Sequence, residues 1–128
     1  MFELDLGQDE QTIRDYKKAI ELNPNNAEAY NNRGYAYSAL GKKERAIQDY
    51  DKAIELNLNI FLAYLGRGYA YADLEQYEQA IQDFDKTIEL NPNFSRAYFH
   101  RGNAYKKLDK PAKAQADFGK AKELGYNG

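Results

Sequence analysis

The chain has 128 residues, of which 43% are hydrophobic and 30% charged, the proportions of one domain with an ordinary core, and this size excludes a large multidomain enzyme. It contains no cysteine and a single histidine, His100, which excludes a disulfide framework, a thiolate nucleophile, Cys-based zinc or iron–sulfur sites and histidine-rich metal or relay sites. The formal net charge of −2 conceals a division: ten basic and seventeen acidic side chains lie in residues 1–94, eight and three in residues 95–128, so one end is acidic and the other basic.

Apolar residues at alternating three and four spacing predict helices near 9–22, 27–40, 43–56, 61–74, 77–90, 95–108 and 111–124. The longest uninterrupted apolar stretch, Ile60 to Leu65, is far below the roughly 20 residues that span a bilayer, so no membrane insertion is expected. The first predicted helix follows Met1–Leu6, which shows neither a targeting pattern nor a helix start signal. Asn23-Pro24-Asn25 ends that helix, and Asn91-Pro92-Asn93 ends the fifth. At the equivalent junction, Asn57-Leu58-Asn59, leucine stands in place of proline. That removes the bar to a continuous helix and leaves Leu58, Ile60, Phe61 and Leu62 as candidate self-association residues, through which two chains could exchange repeats. Shorter polar turns are predicted at Gly41-Lys42, Glu75-Gln76 and Asp109-Lys110. Pro111 opens the last helix in its first turn, where a missing amide hydrogen costs nothing.

The helices come in pairs with a period of 34 residues, set by Ala29-Tyr30, Ala63-Tyr64 and Ala97-Tyr98. In a unit numbered from Ala27, Phe61 and Ser95, position 8 is Gly34, Gly68 and Gly102, and position 11 is Tyr37, Tyr71 and Tyr105. Position 20 is Ala46, Ala80 and Ala114, and position 24 is Tyr50, Phe84 and Phe118. Arg at position 7 (Arg33, Arg67, Arg101) recurs with Asp at position 23 (Asp49, Asp83, Asp117). This predicts a ladder of partly buried ion pairs between the two helices of each unit, with Asp15 reaching Arg33 as an added rung. Positions 21 and 28, isoleucine in every earlier unit, become Gln115 and Lys122 in the last, as a solvated terminal face requires.

This pattern resembles the tetratricopeptide repeat family, from about residue 9 to residue 124, with the aromatic at position 4, glycine at 8, tyrosine at 11, alanine at 20 and aromatic at 24 in place. Thr87 at position 27, Leu58 and Tyr126 at position 32, and the arginines at position 7 depart from it. The resemblance implies an all-α, right-handed superhelix of stacked helical hairpins. It would form a single domain over 1–128, with a partial repeat at 1–26 and full repeats at 27–60, 61–94 and 95–128. The first helix of the partial repeat is mostly missing, which reads as truncation of a longer array rather than as a lone capping helix.

No nucleophile and base, metal cluster or glycine-rich phosphate loop stands at a working spacing, since Ser95 and His100 are off a common helical face. A noncatalytic protein without cofactors is therefore expected. The resemblance places a concave groove on the first helices. Its peptide-binding residues would be Asn31, Tyr35, Leu62, Leu65, Tyr69, Arg96, Phe99, His100, Asn103, Lys106 and Lys107, with Leu62, Leu65, Tyr69 and Phe99 as apolar anchors and Arg96, Lys106 and Lys107 as the charged end. Such a groove suits a protein or peptide ligand carrying an acidic or C-terminal carboxylate group. Arg96 and His100 stand at third-unit places of the clamp with which the family's co-chaperone branch grips acidic chaperone tails. Asn31, Tyr35 and Gly66 fill the other places, so that clamp is incomplete. The alternative is a self-assembly module forming a homo-oligomer through exposed repeat faces. Nucleic acid is disfavoured because the basic cluster at the C-terminal end could neutralise few phosphates beside an acidic remainder. The compartment is left open, with the cytoplasm favoured.

Overall fold

The computed structural model describes residues 2–128, with side chains from residue 7 onward. Its helices are α1 (Phe2–Leu22), α2 (Ala27–Ala39), α3 (Lys43–Leu56), α4 (Phe61–Asp73), α5 (Tyr77–Leu90), α6 (Ser95–Lys107) and α7 (Pro111–Glu123), and no strand occurs among the described residues. From α2 onward every boundary falls within one residue of the position the sequence predicts. The turns explain this accuracy. Gly41, Glu75 and Asp109 share unit position 15 and all take positive φ (80°, 61° and 57°), closing each hairpin. The longer turns are tied by side chains: Asn23 and Asn57 accept from the amides of Asn25 and Asn59, and Asn26 caps α2 by accepting from the Ala29 amide.

One expectation fails here. The first helix does not begin at residue 9: α1 runs 21 residues from Phe2, straight through Gly7, which holds the unit position where the other hairpins turn. At Asn57-Leu58-Asn59 the chain makes a turn between the two helices the sequence places there, and the run-on helix that the missing proline would permit is not formed within this chain. α3 ends at Leu56, α4 begins at Phe61, and the Leu58 carbonyl accepts from the Tyr64 hydroxyl at 3.1 Å, as the Pro92 carbonyl accepts from Tyr98 at 2.9 Å. The two asparagines and this tyrosine hold the turn without proline.

α2–α3, α4–α5 and α6–α7 form antiparallel hairpins that stack in order, with α1 against α2. The first helices lie side by side, α2 touching α4 and α4 touching α6. The fold is thus an all-α repeat superhelix, and a row of first helices lines its inner side. Small residues let the paired helices approach. A Cβ on Gly68 would meet the Phe84 ring at 2.7 Å, and one on Gly102 the Phe118 ring at 2.8 Å. Alanines 46, 80 and 114 are buried beside these contacts.

The arginine ladder forms. Each guanidinium grips the aspartate sixteen residues on through two bonds: Arg33 to Asp49 at 2.8 and 2.7 Å, Arg67 to Asp83 at 2.9 and 2.7 Å, Arg101 to Asp117 at 2.8 and 2.7 Å. The position-4 tyrosine of the same helix lies within about 5.7 Å of each guanidinium carbon. The extra rung differs from the expected one. Arg67 reaches back to Asp51 and Arg101 to Asp85, both at 2.9 Å, from position 25 of the preceding hairpin. That position before Arg33 is Lys17, a cation that cannot serve. Asp15 accepts instead from Gln11 on its own helix.

Candidate peptide-binding groove

The inner side of the stack holds an open cavity of about 1370 Å³, bordered by α2, α4, α6, the first turns of α3 and α5, and residues 125–128. Its floor is aromatic and small, with Tyr35, Tyr69, Ala72, Tyr77 and Phe84. Its far wall is polar and basic, with Arg96, His100, Asn103, Lys106 and Lys107. Tyr35 is 71% exposed and stands free at one edge. Tyr69 is half-buried between Phe84 (ring centroids 5.8 Å apart) and His100 (4.5 Å, edge-on).

The charges are unevenly satisfied. Lys43 pairs with Asp73 at 2.9 Å across the groove and also donates to the Ser38 carbonyl and hydroxyl at 3.1 Å. Among the described residues, Arg96, Lys106 and Lys107 have no carboxylate within ion-pair distance. The one acid of the groove wall is therefore already compensated, and the third unit presents uncompensated positive charge. Burial pushes the Tyr69 hydroxyl up to about 12, with Arg96 opposing. Burial, with Arg96 beside it, lowers His100, while Asp73 acts weakly the other way, so His100 enters the groove as a neutral aromatic rather than a cation near neutral pH.

Seven of the eleven residues singled out from sequence line the cavity: Tyr35, Tyr69, Arg96, His100, Asn103, Lys106 and Lys107. Leu65 cannot serve as an exposed anchor. It is 5% exposed and packs with Ala80, Phe84 and Ala97, because α6 lies over it. Phe99 is also covered, since Tyr126 folds back and stacks on it (centroids 4.5 Å apart, rings 29° from parallel). It lines a separate pocket of about 360 Å³ at the C-terminal edge. Leu62, 49% exposed, and half-buried Asn31 stand outside the cavity. Of the candidate self-association residues, Ile60 packs on the core, Phe61 meets Phe94 edge-on at 5.5 Å, and Leu58 (66% exposed) and Leu62 remain open.

Sequence reasoning missed Lys43, Tyr77 and Tyr126. The first two share unit position 17, at the start of the second helix, but that position is Lys43, Tyr77 and Pro111 in the three units, so no recurring residue type marked it. Gly66, which leaves the clamp incomplete, has a packing role that the sequence did not announce. A Cβ there would lie 2.5 Å from Tyr50 Cζ and 2.7 Å from its hydroxyl, so the glycine makes room for the one position-24 aromatic of the full units that carries a hydroxyl. Among the described residues there is no cluster of three side chains able to hold a metal ion, and no helix long and apolar enough to cross a membrane.

A sequence profile described as TPR repeat matches residues 3–41 and 68–109, and two described as tetratricopeptide repeat match 27–59 and 95–124. The chain belongs to the tetratricopeptide repeat family. Among solved structures, the crystal structure of MamA is 34% identical over 94% of this chain and 71% of its own, with a TM-score of 0.88. YrrB, described as a TPR protein with an unusual peptide-binding site, is 33% identical over 86% of this chain and 57% of its own, with a TM-score of 0.80. The second TPR of Spaghetti (RPAP3), solved bound to the HSP90 peptide SRMEEVD, is 33% identical over 77% of this chain and 91% of its own, with a TM-score of 0.75. No curated protein matches the sequence.

Proposed function

We propose that this chain is a noncatalytic protein-interaction scaffold whose inner groove binds an acidic peptide segment bearing an apolar or aromatic side chain. The observation that carries this reading is the pairing of an open aromatic floor, Tyr35, Tyr69 and Tyr77, with three cations that lack a carboxylate partner, Arg96, Lys106 and Lys107. An apolar side chain would displace water from the floor, while carboxylates would satisfy the cations. Exposed charge of this kind is screened over about 8 Å at physiological ionic strength, so binding should weaken with salt. The second TPR of Spaghetti (RPAP3), with its bound HSP90 peptide, and YrrB, with its unusual peptide-binding site, support the reading. Leu65 and Phe99 take no part in it.

The test is an array of heptapeptides in which two or three acidic residues flank one aromatic or leucine, probed with the parent and with Tyr69→Ala and Arg96→Ala. The parent should retain a subset of the array, and each variant should lose that subset while keeping its helical circular dichroism. Retention of the same peptides by both variants would rule this site out.

A second reading rests on Leu58 and Leu62, neighbouring exposed leucines outside the groove, which suit a homo-oligomer contact. Light scattering across a concentration series tests it. A monomer at high micromolar concentration rejects that reading alone.

A further inference from the structure

Where one second helix meets the first helix of the next unit, the aromatic at position 24 lies against position 6, sixteen residues on, and the three steps are filled differently. At the first, Asn32 covers Tyr16 and donates to its hydroxyl at 3.1 Å. At the third, His100 lies over Phe84, a ring with no hydroxyl (centroids 6.2 Å apart, planes 33° apart). At the second, Gly66 meets Tyr50, whose hydroxyl stands 2.7 Å from where a Cβ of Gly66 would be. The glycine offers that hydroxyl neither a cover nor a partner.

Tyr50 is 2% exposed, and among the described residues its hydroxyl makes no hydrogen bond, unlike those of Tyr16, Tyr64 and Tyr98. No fully enclosed polar side-chain atom of the described residues is left without a partner, so the remaining exposure of Tyr50 includes its oxygen, which reaches the surface through the space the glycine leaves. That opening is on the groove side. His100, the counterpart of Gly66, lines the groove, and so does Tyr35, whose counterpart Tyr69 packs edge-on against His100 at 4.5 Å. With glycine in place of the imidazole, Tyr35 lacks that flank and is 71% exposed, whereas Tyr69 is half-buried. The space between Tyr35 and the Tyr50 hydroxyl is thus the place that a planar side chain fills one unit on.

We propose that Tyr35, Gly66 and the Tyr50 hydroxyl form a subsite, at the end of the groove away from Arg96, Lys106 and Lys107, that takes the side-chain carboxamide of a ligand glutamine or asparagine. Tyr50 donates to the carboxamide oxygen, and Tyr35 packs against the group as Tyr69 packs against His100. Burial pushes the Tyr50 hydroxyl up, with Tyr35 and Asp49 adding to the effect, so it keeps its proton and acts as a donor near neutral pH. Both of those neighbours are acids, and Arg33 is committed to Asp49. A ligand carboxylate would therefore meet one donor and no free cation, whereas a neutral acceptor needs only the donor. An apolar side chain would seal the hydroxyl in without a partner, and a backbone carbonyl would leave the space beside Tyr35 empty. The inference rests on the groove reading for the rest of the ligand but not for this contact.

The probes are the capped amino acids N-acetylglutamine amide, N-acetylglutamate amide and N-acetylleucine amide, each titrated over the millimolar range into the isotope-labelled intact chain. The glutamine derivative should shift the amides of Tyr35 and Gly66 saturably, and the other two should bind there about fivefold more weakly or less, the worth of one hydrogen bond. Tyr50→Phe keeps the packing, since phenylalanine holds this position in the next two hairpins. It should weaken the glutamine derivative about fivefold and leave the leucine derivative unchanged. Tyr35→Ala, at an exposed residue, should also weaken the glutamine derivative. An equal response to all three probes, or a Tyr50→Phe variant that takes the glutamine derivative as the parent does, would overturn the proposal. Failure of the acidic array with the glutamine response intact would refute the groove reading and uphold this contact, whereas acidic peptides bound by a chain with no glutamine response would refute this contact alone.

Discussion

Arg67 occupies the middle of the ladder, and its removal gives the sharpest energetic test of how the hairpins hold together. Arg67→Ala deletes two bonds to Asp83, whose side chain is 5% exposed, and one to Asp51, which is 54% exposed. Stripping one partner from a buried ion pair costs about 3–5 kcal/mol because the remaining charge is left uncompensated. Arg67 is itself 21% exposed, so water can enter its place and the low end of that range applies. The Asp51 bond adds at most about 1 kcal/mol, being exposed and screened. A loss of about 3 kcal/mol at pH 7 follows, read as a fall of about 1–2 M in the urea midpoint by circular dichroism. Burial already pushes the Asp83 carboxyl up, against the pull of Arg67. Without the arginine, Asp83 should protonate more readily, so part of the loss should be recovered on moderate acidification. Replacing both partners with apolar residues, Arg67→Met with Asp83→Leu, should sit close to the parent. A single-variant loss under about 1 kcal/mol, or a double variant as unstable as the single one, would refute the claim that Arg67 compensates a buried charge.

Gly66→Ala should destabilise by about 1–3 kcal/mol, because its Cβ would enter the buried Tyr50 ring at 2.5 Å, and this outweighs the ~1 kcal/mol by which alanine favours a helix over glycine; a variant as stable as the parent in urea would contradict that packing. Glu75 holds φ at 61° where the equivalent residue of the first full unit is Gly41, so Glu75→Gly should raise stability by about 1 kcal/mol, seen as a higher melting temperature. His100 is lowered from 6.5 by burial and by Arg96, so below about pH 6.5 the unfolded chain takes up a proton that the folded chain resists. Stability should therefore fall as pH drops from 7 to 5, and more steeply for the parent than for His100→Gln; equal slopes in urea titrations would show that His100 does not contribute.

Much of this was legible because each landmark occurs three times. A 34-residue register is enough to place helix ends within one residue when the same glycine, alanine and aromatic positions recur, and the sixteen-residue Arg–Asp spacing predicted the ladder correctly. What failed depends on relations between units. The rungs to Asp51 and Asp85 come from the preceding hairpin, and no pattern within one unit reveals that position 25, not position 23, faces the next arginine. Leu65 shares a helix face with groove residues, yet the stacking of α6 decides that it is buried. Phe99 was read as an anchor because nothing periodic announces that Tyr126 returns to cover it. Gly7 holds the unit position at which the other hairpins turn, yet α1 runs helical through it, and among the described residues α1 touches α2 alone.

The central claim, an acidic peptide held in the inner groove, is tested most directly by titrating the best peptide of the acidic array into isotope-labelled chain and mapping the amide shifts. The account predicts the largest changes at Tyr69, Ala72, Asn103 and Lys106, diminishing as salt is raised. Shifts confined to the outer helices around Lys52 and Lys86, or to Leu58 and Leu62, would contradict it.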